Sequence, residues 1–264
     1  MINKKKYVII TPFFPNEINH VGSYIYDQAK TLKEISGFHV IVVKLITLFS
    51  DEKDYQYKGI DVKIFKVIDL PSFLFPGMFH FINSYRIRRL FKNNSFLKNL
   101  SIIHAHVTYP AGYLANSLAF NKDIKTIVQH HGIDAIQLLN GRSRIVRFLN
   151  KGILENRSLN ELNKIDLSVY VSNRVRIELH SYANYKPKDE FILYNGVDLN
   201  KFFKNDLIRQ SNKYIIGCVA NFWKIKDHIT LIKAVHLLIN EGVLDIELRL
   251  VGKGNTLDKC KKYV

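Results

Sequence analysis

At 264 residues the chain can bury a sizeable core, and 47% apolar with 12% aromatic residues excludes a disordered chain. Lys and Arg number 39 against 23 Asp and Glu, a net charge of +16 that points to an acidic partner: nucleic acid, an anionic bilayer or a phosphorylated substrate. Two cysteines, Cys218 and Cys260, are too few for a disulfide framework and lack metal-ligand spacing, so a reducing, cytoplasmic setting is expected.

The opening MINKKKYVIITPFF has too short an apolar run, broken by Pro12 and Pro15, to read as a secretory leader. It reads as the buried first strand, Tyr7–Thr11, of a parallel sheet. A loop over Pro12–Val21 ends at Gly22-Ser23, and a helix follows with Ile25, Ala29, Leu32 and Ile35 on one face. Gly37 stops it before a strand at His39–Ile46. A Gly-Ser at a helix N-terminus directs backbone N–H groups and the positive dipole end at an anion. One glycine before a helix is more often just a tight turn.

Strand–helix alternation then continues. Gly59–Val67 is a strand after a polar loop, Pro71–Gly77 an aromatic loop and Asn83–Leu97 a basic helix. Ile103–His106 and Lys125–His130 are strands flanking a helix at Ala111–Ala119; a long helix covers Ser143–Leu162, and Leu167–Val171, Arg174–Ser181 and Glu190–Leu193 are strand, helix and strand. This spacing argues for a parallel, doubly wound α/β sheet. In LYNGVDLNKF, Asn195-Gly196 is a strong turn dipeptide and reads as a hinge, because the alternation restarts after it. Tyr214–Val219 is a strand, Asp227 caps a helix that buries Ile229, Ile232, Val235 and Ile239, and Ile246–Val251 is the next strand. Gly252–Gly254 then turns toward a helix beginning near Thr256.

Chemistry concentrates at strand ends. His130 and His131 close a strand ahead of Gly132, at the carboxyl edge that faces the crevice of an open α/β sheet. If extended they point opposite ways, so at most one faces the crevice, and the choice falls on His131 because Gly132 allows close approach. Such a histidine hydrogen-bonds a sugar hydroxyl or acts as acid or base; the plainer alternative is a buried, hydrogen-bonded imidazole. His104 and His106 share one strand face, but with only Asp134 as a nearby carboxylate no metal site is expected. Lys224 and Lys226 precede a helix N-terminus, where lysine can meet a diphosphate leaving group, or can simply be solvated.

The ordered set PFFPN…VGSYIY, IIHAHVTYPAGYLA, VQHHGID, LYNGVDLNKF, IGCVANFWKIKDHITLIKA and LRLVGKG resembles the retaining, nucleotide-sugar-dependent glycosyltransferases of family four. The resemblance implies a GT-B fold, two Rossmann-like α/β domains with the site between them. It divides the chain into an acceptor-side domain, 1–194, a linker, 195–212 around the hinge residues Asn195 and Gly196, and a partial nucleotide-sugar-binding domain, 213–264. It implies that Gly22 and Ser23 sit by the donor diphosphate and that His131 is catalytic, beside the anomeric carbon. Asp134 is carried over as a sugar or acceptor contact, Lys226 takes the place of the diphosphate lysine, and Gly252 lies near the nucleotide base. No metal or resident cofactor is implied. Asn221 stands where the family has arginine; it can donate a hydrogen bond but brings no charge. The family's Glu-x7-Glu motif is expected after Gly254, and no glutamate follows Glu247. The second domain is therefore expected to be incomplete, and the chain by itself inactive.

Arg86, Arg88, Arg89 and Lys92, and again Arg144, Arg147 and Lys151, lie on helices with apolar neighbours, which suits an anionic membrane surface as well as ordinary solvation. No stretch reaches the ~18 uninterrupted apolar residues of a spanning helix. The expectation is a cytoplasmic transferase, peripheral on the inner membrane face, serving cell-surface polysaccharide synthesis with a glycan or lipid-linked acceptor and no nucleic acid. The alternatives are a non-catalytic acceptor-binding remnant and a GT-B-type sugar-nucleotide epimerase.

Overall fold

The computed structural model describes residues 4–69, 77–96, 98–119, 123–132, 155–203 and 212–263. The chain divides into two compact units, Met1–Val197 and Asp198–Val264.

The first unit is built on one eight-stranded sheet. Its strands are β1 (Lys6–Thr11), β2 (His39–Thr47), β3 (Tyr55–Tyr57), β4 (Ile60–Val67), β5 (Leu100–His106), β6 (Lys125–His130), β7 (Leu167–Tyr170) and β8 (Glu190–Ile192). Their order is β3-β4-β2-β1-β5-β6-β7-β8. Neighbours are parallel except β3, which lies antiparallel to β4. The polar loop expected before β4 thus contains an edge strand of three residues, turned by Lys58 and Gly59, both at positive φ. The chain winds outward from β1 through β2 and β4, then returns to the far side of β1 as β5. Such a reversal opens a crevice at the carboxyl ends of the strands.

Period-two alternation in β1 divides the core. Tyr7 and Ile9 face a cluster with Ile25 and Ala29 of α1 (Ser23–Ile35), while Val8 and Ile10 face the larger cluster holding Ile87 and Phe91 of α2 (His80–Asn93) and Leu114 and Leu118 of α3 (Tyr113–Leu118). Ile35, expected on the buried face of α1, is 80% exposed because the last turn overshoots the sheet. The helix α2 begins three residues before the expected Asn83 and ends at Asn93. Residues 155–162 form α4, and Asn173–His180 form α5, whose Ser172 side chain accepts from the Val175 N–H.

Beside β8 a polar clasp closes the sheet. Arg176 donates twice to Glu190 Oε1, at 2.8 and 2.6 Å, while His180 Nε2 lies 2.6 Å from Glu190 Oε2 and the Tyr170 hydroxyl donates to the same oxygen at 3.1 Å. These contacts hold the Glu190 carboxyl down to a pKa of about 2 despite the opposing effect of burial. Asn195 and Gly196, read as a tight turn, lie in irregular chain, and neither takes positive φ. The turn forms at Asp198 instead: its carboxylate accepts from Asn200 N at 3.0 Å and its carbonyl from Phe202 N at 2.8 Å.

The second unit holds a parallel pair, β9 (Tyr214–Val219) and β10 (Ile246–Val251), with α6 (His228–Asn240) and α7 (Leu257–Lys261). Its core is Phe222, Ile232 and Cys260, supported by Ile229, Leu248, Leu250 and Leu257. Val235 is buried, but Ile239 is 41% exposed, since the end of α6 runs past the two strands. Asp227 precedes α6 in the left-handed region, φ 47°, and makes no side-chain bond to the backbone; its carboxylate accepts from the Thr230 hydroxyl at 2.8 Å.

Candidate functional site

At the carboxyl end of β5 and β6 three imidazoles form a column. His104 and His106, on one face of β5, stack with ring centroids 4.5 Å apart. The register pairs His106 with Gln129, so His131, two residues on, comes to the same side. The rings of His106 and His131 lie 5.3 Å apart and nearly parallel, and His106 Nδ1 is 3.0 Å from His131 Nε2. Below them the Tyr7 hydroxyl meets His104 Nδ1 at 2.8 Å, and Tyr24 of α1 packs edge-on against His131 at 5.0 Å. His104 and His106 are buried and His131 is half-buried. His130 points away, fully buried, and stacks on Tyr170.

Burial sets the protonation of the column. Removal from water lowers His131 to a pKa of about 4 and His104 to about 3, with the neighbouring His131 adding to the shift on His104. His106 is pushed well below the ordinary value, first by burial and then by His104 and His131. At neutral pH all three are uncharged, so His131 offers a hydrogen bond rather than a charge. One of the two facing nitrogens carries the shared proton. His106 Nε2 is buried without a partner, and an orphaned N–H is rarer than an orphaned acceptor. That places the His106 proton on Nδ1, donating to His131 Nε2, and leaves the His131 proton on Nδ1. Among the described residues no group of three or more His, Cys, Asp or Glu can hold a metal ion; the rings stack instead of converging.

The loop after β1 reaches the same edge. Gly22 caps α1 at φ 88°, and a Cβ there would stand 2.5 Å from the Phe13 carbonyl oxygen, so only glycine lets α1 start this close to the chain leaving β1. Ser23 is exposed; its N–H donates to the His20 carbonyl, and the Ile25 N–H to that of Gly22. Val107, directly after His106, sits at φ 77° and ψ 152°, a costly conformation for a β-branched residue, held at the edge of the crevice. Asp134 lies outside the described residues, as do Arg144, Arg147 and Lys151.

In the second unit Asn221, Lys224 and Lys226 are exposed, the lysines on a single turn before α6. Gly252 and Gly254 serve close packing: a Cβ on Gly252 would meet the Ala220 carbonyl oxygen at 1.9 Å, and one on Gly254 that of Phe222 at 2.3 Å. Reciprocal bonds, Phe222 N to Lys253 O at 2.7 Å and Thr256 N to Phe222 O at 2.9 Å, join the two loops. His228 is buried against Phe222, its ring 4.1 Å away and parallel. The structure thus gathers Gly22, Ser23 and His131 at one sheet edge of the first unit and Asn221, Lys226 and Gly252 around one loop pair of the second. Tyr24 and the orienting role of His106 are not evident from motif spacing; they emerge only when the strand register is known.

The family model for Glycosyltransferase Family 4 matches residues 21–201, most of the chain. No curated protein matches. Among solved structures, a sucrose-phosphate synthase from Thermosynechococcus elongatus matches with a TM-score of 0.67 and 14% identity, over 98% of this chain and 68% of that one. An α,α-trehalose-phosphate synthase (UDP-forming) from Burkholderia xenovorans in complex with glucose-6-phosphate gives 0.60 and 11%, over 98% and 68%. The E. coli trehalose-6-phosphate structure bound with UDP-2-fluoro glucose gives 0.60 and 12%, over 98% and 67%. At such identities the likeness establishes the fold, which is GT-B, and the chain spans about two thirds of each of these structures.

Proposed function

We propose that this chain, which belongs to glycosyltransferase family 4, moves a hexose from a nucleotide sugar to a glycan or lipid-linked acceptor, with retention of anomeric configuration, in cell-surface polysaccharide synthesis. The observation that carries the reading is His131, neutral and oriented by His106 and Tyr24 where the strand order reverses. A neutral imidazole with its proton on Nδ1 can donate to a hydroxyl of the transferred sugar and so fix its position, without setting a cation beside the positive charge that develops at the anomeric carbon. The leaving diphosphate takes the acceptor proton on the same face of the sugar. Its negative charge is met by Lys226, with Asn221, Gly22, Ser23 and Gly252 as further donor contacts, and Asp134 as a sugar or acceptor contact. This reading requires no metal and no resident cofactor. Proteins of the same fold solved with UDP-2-fluoro glucose and with glucose-6-phosphate support a nucleotide-sugar donor.

Incubation with a panel of nucleotide sugars and candidate acceptors tests it. Nucleoside diphosphate release that depends on acceptor is the expected result. Interconversion of the donor sugar without acceptor would instead mark an epimerase. Acceptor binding without turnover of any donor would mark an acceptor-binding module.

The acceptor reading includes peripheral attachment at the cytoplasmic membrane face. Met78, Phe81, Ile82 and Tyr85 form an exposed stripe at helical spacing, with Phe81 84% and Tyr85 64% exposed, and exposed Arg89 and Lys92 extend it. Of the other two α2 cations, Arg86 donates to the Lys66 carbonyl and Arg88 to that of Ser117. No helix among the described residues is long and apolar enough to cross a membrane. Co-sedimentation with vesicles is expected to rise with anionic lipid content, to fall as salt shortens the Debye length below ~10 Å, and to drop severalfold in Phe81→Ser/Tyr85→Ser. Equal binding to neutral and anionic vesicles would count against attachment of this kind.

A further inference from the structure

A groove of about 600 Å³ opens in the first unit between loop 51–54, the outer part of β4 and the C-terminal half of α2. Lys53, Lys66, Arg86 and Arg89 line it, together with two carboxylates, Glu52 and Asp54. Each carboxylate is already neutralised by a lysine from outside the lining: Lys44 Nζ is 2.6 Å from Glu52 Oε1, and Lys63 Nζ is 2.9 Å from Asp54 Oδ2. Asn16 also donates to Glu52 at 3.2 Å, and the Ile64 N–H to Asp54 at 2.8 Å. None of the four lining cations pairs with a carboxylate among the described residues.

Arg86 is held in place before any ligand arrives. Its Nη1 donates to the Lys66 carbonyl at 2.7 Å and to Asn83 Oδ1 at 3.3 Å, and its guanidinium lies 5.2 Å from the Phe65 ring centroid. Those bonds leave most of its five N–H donors for a ligand. Arg89 follows at i+3, on the same side of α2, and Lys66 lines the groove from the edge of β4. Ile64 and Leu90 add an apolar wall. In the sheet β2 and β1 separate β4 from the histidine strands β5 and β6, so the groove is distinct from the site built around His131.

We propose that this groove binds an organic phosphomonoester, its phosphate held by Arg86, Arg89 and Lys66 and its carbon portion laid along Ile64 and Leu90. A dianionic phosphate matches a cluster of cations with no acid of its own to satisfy, and guanidinium forks suit its oxygens. The volume exceeds what phosphate alone would fill. The phosphate belongs either to a lipid head group or to a soluble metabolite, and two probes separate these sources: phenyl phosphate in solution, and phosphatidylcholine vesicles doped with phosphatidic acid.

The test compares the full chain with Lys66→Gln/Arg89→Gln, which leaves the backbone bonds of Arg86 intact; an unchanged thermal midpoint verifies its fold. Phenyl phosphate is expected to bind more tightly than phenyl sulfate, and the double variant to lose at least about tenfold, roughly 1.4 kcal/mol, in affinity for it or for the doped vesicles. Loss toward phenyl phosphate identifies a soluble ligand. Loss confined to phosphatidic acid vesicles identifies a lipid one; because Arg89 also extends the membrane stripe, Lys66→Gln alone is expected to reproduce part of that loss, which failure of the stripe would not. Equal affinity for sulfate and phosphate, or affinities the double variant leaves unchanged with both probes, would overturn the proposal.

Discussion

In a form of the protein that turns over a nucleotide sugar, His131→Ala lowers kcat by roughly 10²-fold or more, with the fold intact. The ring is half-buried and rests on His106 and Tyr24 without supporting the core beneath, so its loss removes a sugar contact at little structural cost. His106→Phe keeps a flat ring in the stack but removes the donor that fixes the His131 tautomer; about tenfold of kcat should go with it, the worth of one hydrogen bond. His130→Ala should act mainly on stability, since that ring is fully buried against Tyr170. Steady-state kinetics alongside thermal melts separate the three. Near-normal turnover in His131→Ala would sink the assignment.

Acid should unfold the first unit well before its carboxylates titrate. His104, His106, His130 and His131 all have folded-state pKa values below the ordinary 6.5, each chiefly through burial. Below pH 6.5 the unfolded chain takes up protons that the folded one refuses, so stability present above that pH is lost as pH falls toward about 4 for His131 and about 3 for His104 and His130. Each such histidine costs about 1.4 kcal/mol per pH unit across its window, so by pH 5 His104, His130 and His131 together remove on the order of 6 kcal/mol, a large part of the whole stability of a domain. Glu190, lowered to about 2 by Arg176, His180 and Tyr170, acts in a separate window below pH 4.5. Urea midpoints between pH 7.5 and 5 give the measurement. A steep fall is expected, shallower in His130→Phe, and a flat profile would contradict neutral burial of the imidazoles.

Much of the architecture was legible because the core strands are long apolar runs. VIIT in β1 and VIVVKLI in β2 admit little else between Gly- and Pro-marked loops. Three residues of β3 carry too little pattern to stand out, yet Lys58-Gly59 supplied the turn. Ile35 and Ile239 misled for one reason: helical spacing identifies a face but not where the sheet beneath it stops. At Asn195-Gly196 the dipeptide permits a turn, but the Asp198 carboxylate, three residues later, satisfies the backbone better. His104 and His106 were visible as one strand face. Their union with His131 depends on pairing His106 with Gln129, a long-range fact that no local pattern encodes. The charge of α2 was equally plain, whereas the bonds of Arg86 and Arg88 to carbonyls on other elements were not.

The clasp around Glu190 also has a mechanical meaning. The chain leaves the first unit through β8, three residues paired in parallel with β7, and Leu193 N–H still donates to the Tyr170 carbonyl at 2.8 Å. Tension arriving along the linker therefore pulls on β8 lengthwise. The ladder rungs are loaded together in shear instead of opening one after another. Glu190 anchors the strand at the end farthest from the pull, and Arg176 and His180 pass the load into α5. The clasp thus ties the last strand of the sheet that holds the histidine column to α5 through both oxygens of the Glu190 carboxylate.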